Sequence, residues 1–395
     1  MLNPAIILNC NNIMALPIIR LLGKNNIPII GVFGIGKNVS PFHTIIKGSK
    51  YISDKIYFEE ENYSESLIQS LINYGLKQKI KPVMFLTSDT DLEVISCNRQ
   101  KLQEYFYFTL PPDDLIKSIL NKDKFIDLAK INNLPIPKSF RICSDEPLNE
   151  ILNKLNFPFI IKPSWRNNEW LRIFKEKKVF IVENSDDLKL ALSVMSKHPV
   201  EYLIQEIVKG SESNIYCSFA ILNENSEPIQ IGFCRKLTQY PPNYGNTSIA
   251  IPIQESSLEN LSREIFKKLK LIGYASIEFK FDETDGKYKI VEITPNRFNR
   301  QFAVTTLQGL NLPYTLYQYE LGLPIHKYQM SNSKKLWISE VNESRRILNY
   351  EKNKIKKFLK LLFDLPKFRM FEIFDLSDPL PLFNALTKGF KRYSR

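Results

Sequence analysis

The stretch Tyr274–Arg300, YASIEFKFDETDGKYKIVEITPNRFNR, decides the reading of this chain. Up to a turn its residues alternate: Ala275, Ile277, Phe279 and Phe281 on one side, Ser276, Glu278, Lys280 and Asp282 on the other. A period of two predicts a strand with one apolar and one polar face. A second apolar run beyond Asp285-Gly286 carries Glu292, so the segment reads as a hairpin with a carboxylate on each arm. A carboxylate in a buried strand is costly unless something pairs with it. Two on one face make a seat for a divalent cation with oxygen ligands. Cross-strand partners share a face, so Glu278 opposite Glu292 demands a loop with an odd number of residues. A three-residue loop, Thr284-Asp285-Gly286 with Gly286 left-handed, meets that demand. It also places Lys280 opposite Ile290 and Ser276 opposite Thr294. A two-residue loop would pair Glu278 with Ile293 and put the acids on opposite faces. An edge hairpin with solvated acids is the alternative that this segment alone leaves open.

The chain has 395 residues, enough for two or three domains. Its hydrophobic content of 44% and charged content of 24% are those of a globular protein. No apolar run approaches the ~20 residues that span a bilayer. The N-terminus, MLNPAIILNCNN, has no basic region or cleavage site and reads as a first strand. The cysteines, Cys10, Cys97, Cys143, Cys217 and Cys234, are odd in number and widely spaced. They indicate neither a disulfide framework nor a zinc knuckle, and a cytoplasmic location is expected. With only His43, His198 and His326 available, a Ser-His-Asp hydrolase or a histidine-rich metal site is disfavoured. Net charge is +12, and residues 326–395 alone carry +9. The basic character is therefore a property of the tail. With no RRM, KH or helix-turn-helix pattern, no nucleic-acid partner is expected.

Residues 4–34 read strand, helix, strand: Ala5–Leu8, Ala15–Gly23, Ile29–Phe33. Short apolar strands of this kind predict a parallel sheet covered on both faces. The first turn, Asn9-Cys10-Asn11-Asn12, has no GxGxxG, which argues against a dinucleotide site. A helix at Ser64–Lys77 precedes a strand at Val83–Leu86, which ends in Thr87-Ser88-Asp89. Polar residues at that end of a strand either line a ligand site or cap the next helix. Lys122–Ile131 reads as a helix ended by prolines. Strands follow at Phe159–Ile161, before Lys162-Pro163, and at Val179–Val182, Glu201–Val208 and Asn214–Leu222. Leu258–Leu271 reads as an amphipathic helix. In the tail, Ile355, Phe358, Leu359 and Leu362 recur at helical spacing among Lys352, Lys354, Lys356, Lys357 and Lys360. We expect this helix to pack on the body with a solvated basic face; a membrane-surface helix is the alternative.

In order along the chain stand Lys122 at a helix start, Lys162 at a strand end, Gln205-Glu206-Ile207-Val208, Gly210-Ser211-Glu212, Arg235-Lys236, then Glu278 and Glu292. This set resembles the ATP-grasp superfamily over about residues 1–325. Segments such as NKDKFIDLAKINNLPIPKS, FPFIIKPSW and IEFKFDETDGKYKIVEITP are most similar to its carboxylate–amine ligase branch, which includes D-aspartate ligase-like proteins; the carbamoyl-phosphate synthase large chain is similar too. The resemblance implies an α/β and α+β architecture. A Rossmann-like pre-ATP-grasp domain (1–115) would precede an ATP-grasp domain of two lobes (116–325, hinge near 205–208) and a basic, helical C-terminal extension (326–395).

It also implies roles. Lys122 and Lys162 match the lysines that hold ATP phosphates. Gln205, Glu206 and Val208 match the hinge that reads adenine, and Glu212 the acid that bonds the ribose hydroxyls. Glu278 and Glu292 match Mg²⁺ ligands, with manganese as a substitute metal. Lys236, or Arg235 beside it, would stabilise the charge that develops on the transferred phosphoryl group. The family pattern Glu-x-Asn-x-Arg is altered here to Glu292-Ile293-Thr294-Pro295-Asn296-Arg297. Thr294 takes the place of the third metal ligand, and Arg297 or Arg300 would replace the arginine. Ser164–Lys178 replaces the usual glycine-rich loop, with Trp165, Arg166, Trp170 and Arg172 expected to close over the phosphates. The implied activity is ATP-dependent joining of a small-molecule carboxylate to an amine. The alternative is a catalytically degenerate nucleotide-binding protein attached by its tail to an anionic membrane or an acidic partner.

Overall fold

The computed structural model describes residues 2–37, 39–142, 152, 155–163, 179–196, 202–326 and 328–389. The loop residues Trp165, Arg166, Trp170 and Arg172 lie outside the described residues.

Three sheets organise the described chain. The first is parallel, with strands β1 (Ala5–Ile7), β2 (Ile29–Ile35), β3 (Ile52–Glu59) and β4 (Val83–Phe85) in the order β3-β2-β1-β4. β1, β2 and β4 are covered on both faces, as their unbroken apolar runs predict, whereas β3, at the edge, exposes Ser53, Asp54, Lys55 and Tyr57. Ala5 and Ile7 enter one core cluster while Ile6 and Leu8 enter another. The second sheet is antiparallel, with β5 (Ser139–Ile142), β6 (Phe159–Pro163), β7 (Phe180–Val182) and β8 (Tyr202–Glu206) in the order β5-β8-β6-β7.

The third sheet holds β9 (Ile215–Leu222), β10 (Pro228–Tyr240), β11 (Asn246–Ile253), β12 (Gly273–Asp282), β13 (Lys287–Pro295), β14 (Leu336–Ile338) and β15 (Phe368–Phe371), in the order β13-β12-β9-β10-β11-β14-β15. Its apolar face (Ile277, Phe279, Ile290, Ile293) packs against Leu258, Ile265, Phe266 and Leu269 of the helix Ser256–Leu269. The polar face of the hairpin β12–β13 is thereby turned the other way.

The hairpin has the expected acid pairing but not the expected turn. Glu278 is opposite Glu292, and Ser276 opposite Thr294. Nearer the turn, however, Phe279 pairs with Ile290 and Asp282 with Lys287, so Lys280 faces Lys289 and not Ile290. The loop therefore has four residues, Glu283 to Gly286. It is closed by the Gly286 amide on the Asp282 carbonyl and the Thr284 amide on the Asp282 carboxylate. Gly286 takes a φ of 67°. An even loop would set the acids on opposite faces. A bulge between the 278–292 and 279–290 pairs corrects the register, with Val291 as the extra residue.

The tail also departs from expectation. It is not a separate extension, because it contributes β14 and β15 to the large sheet, and Trp337 is buried. Its far end is clamped to the first helix (Ala15–Gly23). The Arg20 guanidinium donates to the Asp378 carboxylate at 3.0 Å and to the Ile373 and Asp378 carbonyls, while Ser49 Oγ donates to the same carboxylate. The helix Lys354–Phe363, expected to pack on the body, buries none of its residues. Phe358 and Leu361 are half-buried, and Ile355, Leu359, Leu362 and Phe363 are exposed. Burial demand in the tail is met by Trp337 and Ile373 instead. Among the described residues no helix is long and apolar enough to cross a membrane.

Candidate functional site

Two sheets supply the groups that the sequence singles out. On the hairpin, the bulge places Glu278 and Glu292 side by side. Across β9, the same face continues to β10, where Glu278, Cys217 and Cys234 are successive partners. Lys236, two residues along β10 from Cys234, shares that face and donates to Glu278 Oε2 at 2.6 Å. Burial works against the Lys236 cation, but Glu278 outweighs it and holds the Lys236 pKa above its usual value. Arg235 points the other way, as strand alternation requires. Its guanidinium donates to the Ser213 carbonyl at 2.6 Å and lies over the Tyr216 ring. Of the two basic residues offered by the sequence, only Lys236 meets the acids.

The stretch after β13 resolves the altered Glu292–Arg297 pattern. Asn296 adopts a left-handed φ of 46°, a region that Asn tolerates better than most residues. Its side-chain amide donates to the Thr109 carbonyl, away from the acids. The next residues pair with the end of β4: Leu86 bridges Arg297, and the Phe298 amide donates to the Leu86 carbonyl at 3.0 Å. That contact brings Asp89 to Arg297. Arg297 is held by the Asp89 carboxylate and reaches Glu292 Oε1 at 3.3 Å. Burial opposes the Arg297 cation, and Asp89 and Glu292 more than restore it.

Ser88 caps the helix Asp89–Cys97 by accepting from the Asp91 amide. Of the two readings offered for Ser88-Asp89, capping thus falls to Ser88 and the contact with the site to Asp89. Arg300 does not reach the acids. It pairs with Glu372 of the tail at 2.6 Å. Thr294 is buried opposite Ser276, whose hydroxyl accepts from the Asn299 amide at 2.7 Å.

The second sheet brings cations. Asn121 caps the helix Lys122–Ile131 by accepting from the amides of Asp123 and Lys124. This fixes Lys122, whose ammonium donates to the Pro163 carbonyl at 3.1 Å. Lys162, at the end of β6, donates to Gln205 Oε1 on β8 at 2.8 Å. Burial and the neighbouring Lys122 lower the Lys162 amine to about 7, against a smaller opposing pull from Glu292. Glu292 feels the reverse. Its side chain is 57% exposed, yet crowding by protein raises its pKa, opposed by Arg297 and reinforced by Glu278. The lysines and the acids therefore belong to one electrostatic unit.

The hinge residues are held from several sides. Glu206 accepts from the Lys138 amide at 2.8 Å and pairs with Lys289 at 3.2 Å, and Lys289 also binds Asp282 at 2.6 Å. Ile207 and Val208 are half-buried just beyond β8. Lys280 donates to the Gly210 carbonyl at 3.0 Å, which steadies the loop that carries Glu212. Glu212 in turn meets Arg346 of the tail at 3.3 Å. Sequence reasoning missed Lys289 and Lys280 because the turn was given three residues. It missed Arg346 because its partner is 134 residues away.

Among the described residues no group of three or more His, Cys, Asp or Glu side chains converges. The acids that face each other are Glu278 and Glu292, a hard oxygen donor pair of the kind Mg²⁺ uses together with phosphate oxygens. Burial raises the Glu292 carboxyl and repulsion from Glu278 adds to the rise, which fits a place for a cation. A concavity of about 530 Å³ on the opposite face, lined by Tyr216, Phe281, Tyr288 and others, contains none of the expected site residues.

Comparison with known proteins bears on the fold that carries these residues. No protein-family model matches the chain. It is 27% identical over 248 residues to D-aspartate ligase of Enterococcus faecium, covering 60% of this chain and 58% of that one. The chain thus spans just over half the length of that relative. An L-amino acid ligase from Bacillus licheniformis superposes with a TM-score of 0.58 at 13% identity, over 81% of this chain and 75% of that one. The ADP complex of N5-carboxyaminoimidazole ribonucleotide synthetase gives 0.59 at 13% identity, over 84% and 80%. The ATP-grasp fold, and the resemblance to its carboxylate–amine ligases, are borne out.

The Lys236–Glu278 pair gives a direct prediction. Lys236→Met and Glu278→Gln each leave a partner uncompensated and destabilise by about 3 kcal/mol. In urea unfolding the double variant should lose less than the sum of the two, by about 2 kcal/mol. Additive losses would mean that the pair does not interact.

Proposed function

We propose that this chain joins a carboxylate to an amine at the expense of ATP. The observation that carries the proposal is the placement of Lys122, at a helix start, and Lys162, at the end of β6, which donate to the Pro163 carbonyl and to Gln205, within electrostatic reach of Glu292, while Lys236 donates to Glu278 opposite Glu292 on the large sheet. Cations that suit a polyphosphate thus meet acids that suit a metal, with a further lysine beside them.

In this reading Lys162 and Lys122 hold ATP phosphates, as cations offset the charge gathered there. The backbone of Gln205 to Val208 receives the adenine edge, and Glu212, steadied by Arg346, receives the ribose. Glu278 and Glu292 would hold Mg²⁺, with the Thr294 hydroxyl nearby; the metal would neutralise phosphate charge and keep the β- and γ-phosphates aligned. Manganese is expected to substitute.

A substrate carboxylate oxygen attacks the γ-phosphorus. The bond to the β-phosphate oxygen breaks, and ADP leaves. The amine nitrogen then attacks the acyl carbon, loses a proton and expels phosphate, which leaves an amide. Lys236, beside Glu278, would stabilise the charge that develops on the transferred group. Arg297, anchored by Asp89, is placed to orient a carboxylate near Glu292. The chemistry is mainly positioning and charge neutralisation, so no nucleophilic Ser, Cys or His is needed. The name of the E. faecium relative supports an amino acid as one substrate. The non-catalytic alternative has no support among the relatives, whose names are those of enzymes. The C-terminal edge of the N-terminal parallel sheet, where Asp89 opens the helix after β4 and pairs with Arg297, is the proposed source of substrate selectivity.

The test is ADP release with Mg-ATP across paired amino acids and other small carboxylates and amines. One pair should give turnover that Glu292→Ala lowers by at least about a hundred-fold. Nucleotide binding without turnover on any pair would overturn the ligase reading.

A pH prediction follows from Lys162. Its amine titrates at about 7 in the free protein, and a bound phosphate favours the cation and raises that value. The free form loses its proton first as pH rises. ADP affinity should therefore be full below about pH 7 and fall by up to about ten-fold per unit above it, until the bound-state value is passed. Lys162→Arg, always charged, should remove that slope. An unchanged slope in the variant would assign it to another group.

A further inference from the structure

The helix Lys354–Phe363 has an apolar face that nothing among the described residues covers. Ile355 is 76% exposed, Leu359 61%, Leu362 58% and Phe363 85%. At 100° per residue these four fall on one arc of the helix. The half-buried Phe358 and Leu361 lie to one side of that arc, so the helix rests on the body by an edge and turns its apolar face outward. Lys356 and Lys360 border the arc on its other side. Of the lysines in and beside the helix, Lys357 pairs with Glu351 at 3.3 Å and Lys367 with Asp364 at 2.6 Å. Among the described residues, Lys352, Lys354, Lys356 and Lys360 have no acidic partner within ion-pair distance.

Four large apolar side chains held in water by a well-capped helix need a reason. Asn353 caps it by accepting from the Lys356 amide, so the helix is locally specified. A second copy of the chain is a poor occupant. An isologous contact through this face would bring like-charged lysines together. A surface that is apolar at its boundary and negative above it matches both features at once.

We propose that the helix Lys354–Phe363 is a docking surface for an anionic lipid bilayer, with Ile355, Leu359, Leu362 and Phe363 inserted at the headgroup boundary and Lys356 and Lys360 on the lipid phosphates. The short helix and single basic cluster make the attachment reversible and salt-sensitive. An ionic relay runs from Lys357 through Glu351 and Arg346 to Glu212. The candidate nucleotide site therefore stays close to the docked surface. The docking proposal stands or falls on lipid binding and does not depend on the ligase reading.

The experiment is co-sedimentation of the full chain with vesicles of phosphatidylcholine containing phosphatidylserine, against phosphatidylcholine alone. The protein should pellet with the anionic vesicles only and be released by salt. Lys356→Glu and Lys360→Glu should each weaken partitioning by about five-fold or more. Ile355→Asp with Leu359→Asp should weaken it by at least about ten-fold, with an unchanged melting temperature because both sites are exposed. Phe363→Trp should show a blue-shifted emission on anionic vesicles.

Protein left in the supernatant with anionic vesicles would overturn the proposal. So would binding that the lysine changes abolish but the aspartates leave untouched, since that is electrostatic adhesion without insertion. A dimer in sedimentation velocity that the aspartates dissolve, without lipid binding, would assign the face to a second copy. Binding only to an acidic protein would assign it to a protein partner.

Discussion

Glu278 and Glu292 must sit on the same face of one hairpin while the chain around them stays compact, and much of the site follows from that constraint. Two like charges at cross-strand distance repel, a conflict that adds to the burial that raises the Glu292 carboxyl. The protein meets it by giving each acid its own cation. Lys236 comes from the neighbouring part of the sheet and Arg297 from the turn after β13. Arg297 in turn is fixed by Asp89, at the start of the helix that follows β4 of the first sheet. A raised carboxyl, a lysine lowered to about 7 and an arginine held between two acids thus form one balanced set.

Distant parts of the chain are recruited to hold this set. The Leu86–Arg297 bridge ties the parallel sheet to the end of the hairpin. Lys289 and Lys280 fasten the hinge and the Glu212 loop to the same hairpin. The tail closes the arrangement from the other side. β14 extends the large sheet, Arg346 reaches Glu212 and Arg300 anchors to Glu372. Far from the acids, the buried Arg20–Asp378 clamp keeps that tail in place. Breaking such a buried pair leaves an uncompensated charge, which makes it costly. The tail is thus structural, and the outward face of its helix Lys354–Phe363 is left uncovered among the described residues.

Much of this was legible in the residues. Alternation gave the strands, the prolines that follow gave the end of the helix Lys122–Ile131, and the apolar run of β1 gave a sheet covered on both faces. The pairing of Glu278 with Glu292 was also readable, since both reside in period-two runs. What sequence could not supply was the turn. An odd loop and an even loop with a bulge place the acids identically, and only the latter sets Lys280 against Lys289. Long-range partners were equally hidden. Arg297 and Arg300 are equivalent candidates by spacing, and tertiary contacts alone send one to Glu292 and the other to Glu372. The tail helix was misjudged because burial was inferred from apolar content, whereas Trp337 and Ile373 took the available core.

The central claim is that Glu278 and Glu292 together hold the metal of a nucleotide complex. Calorimetric titration of ADP with and without Mg²⁺ tests it most directly. The account predicts that Mg²⁺ tightens ADP binding to the native chain by about ten-fold or more. It also predicts that this gain disappears in the Glu278→Gln, Glu292→Gln double variant, while metal-free affinity is kept. An equal Mg²⁺ effect in both proteins would contradict it.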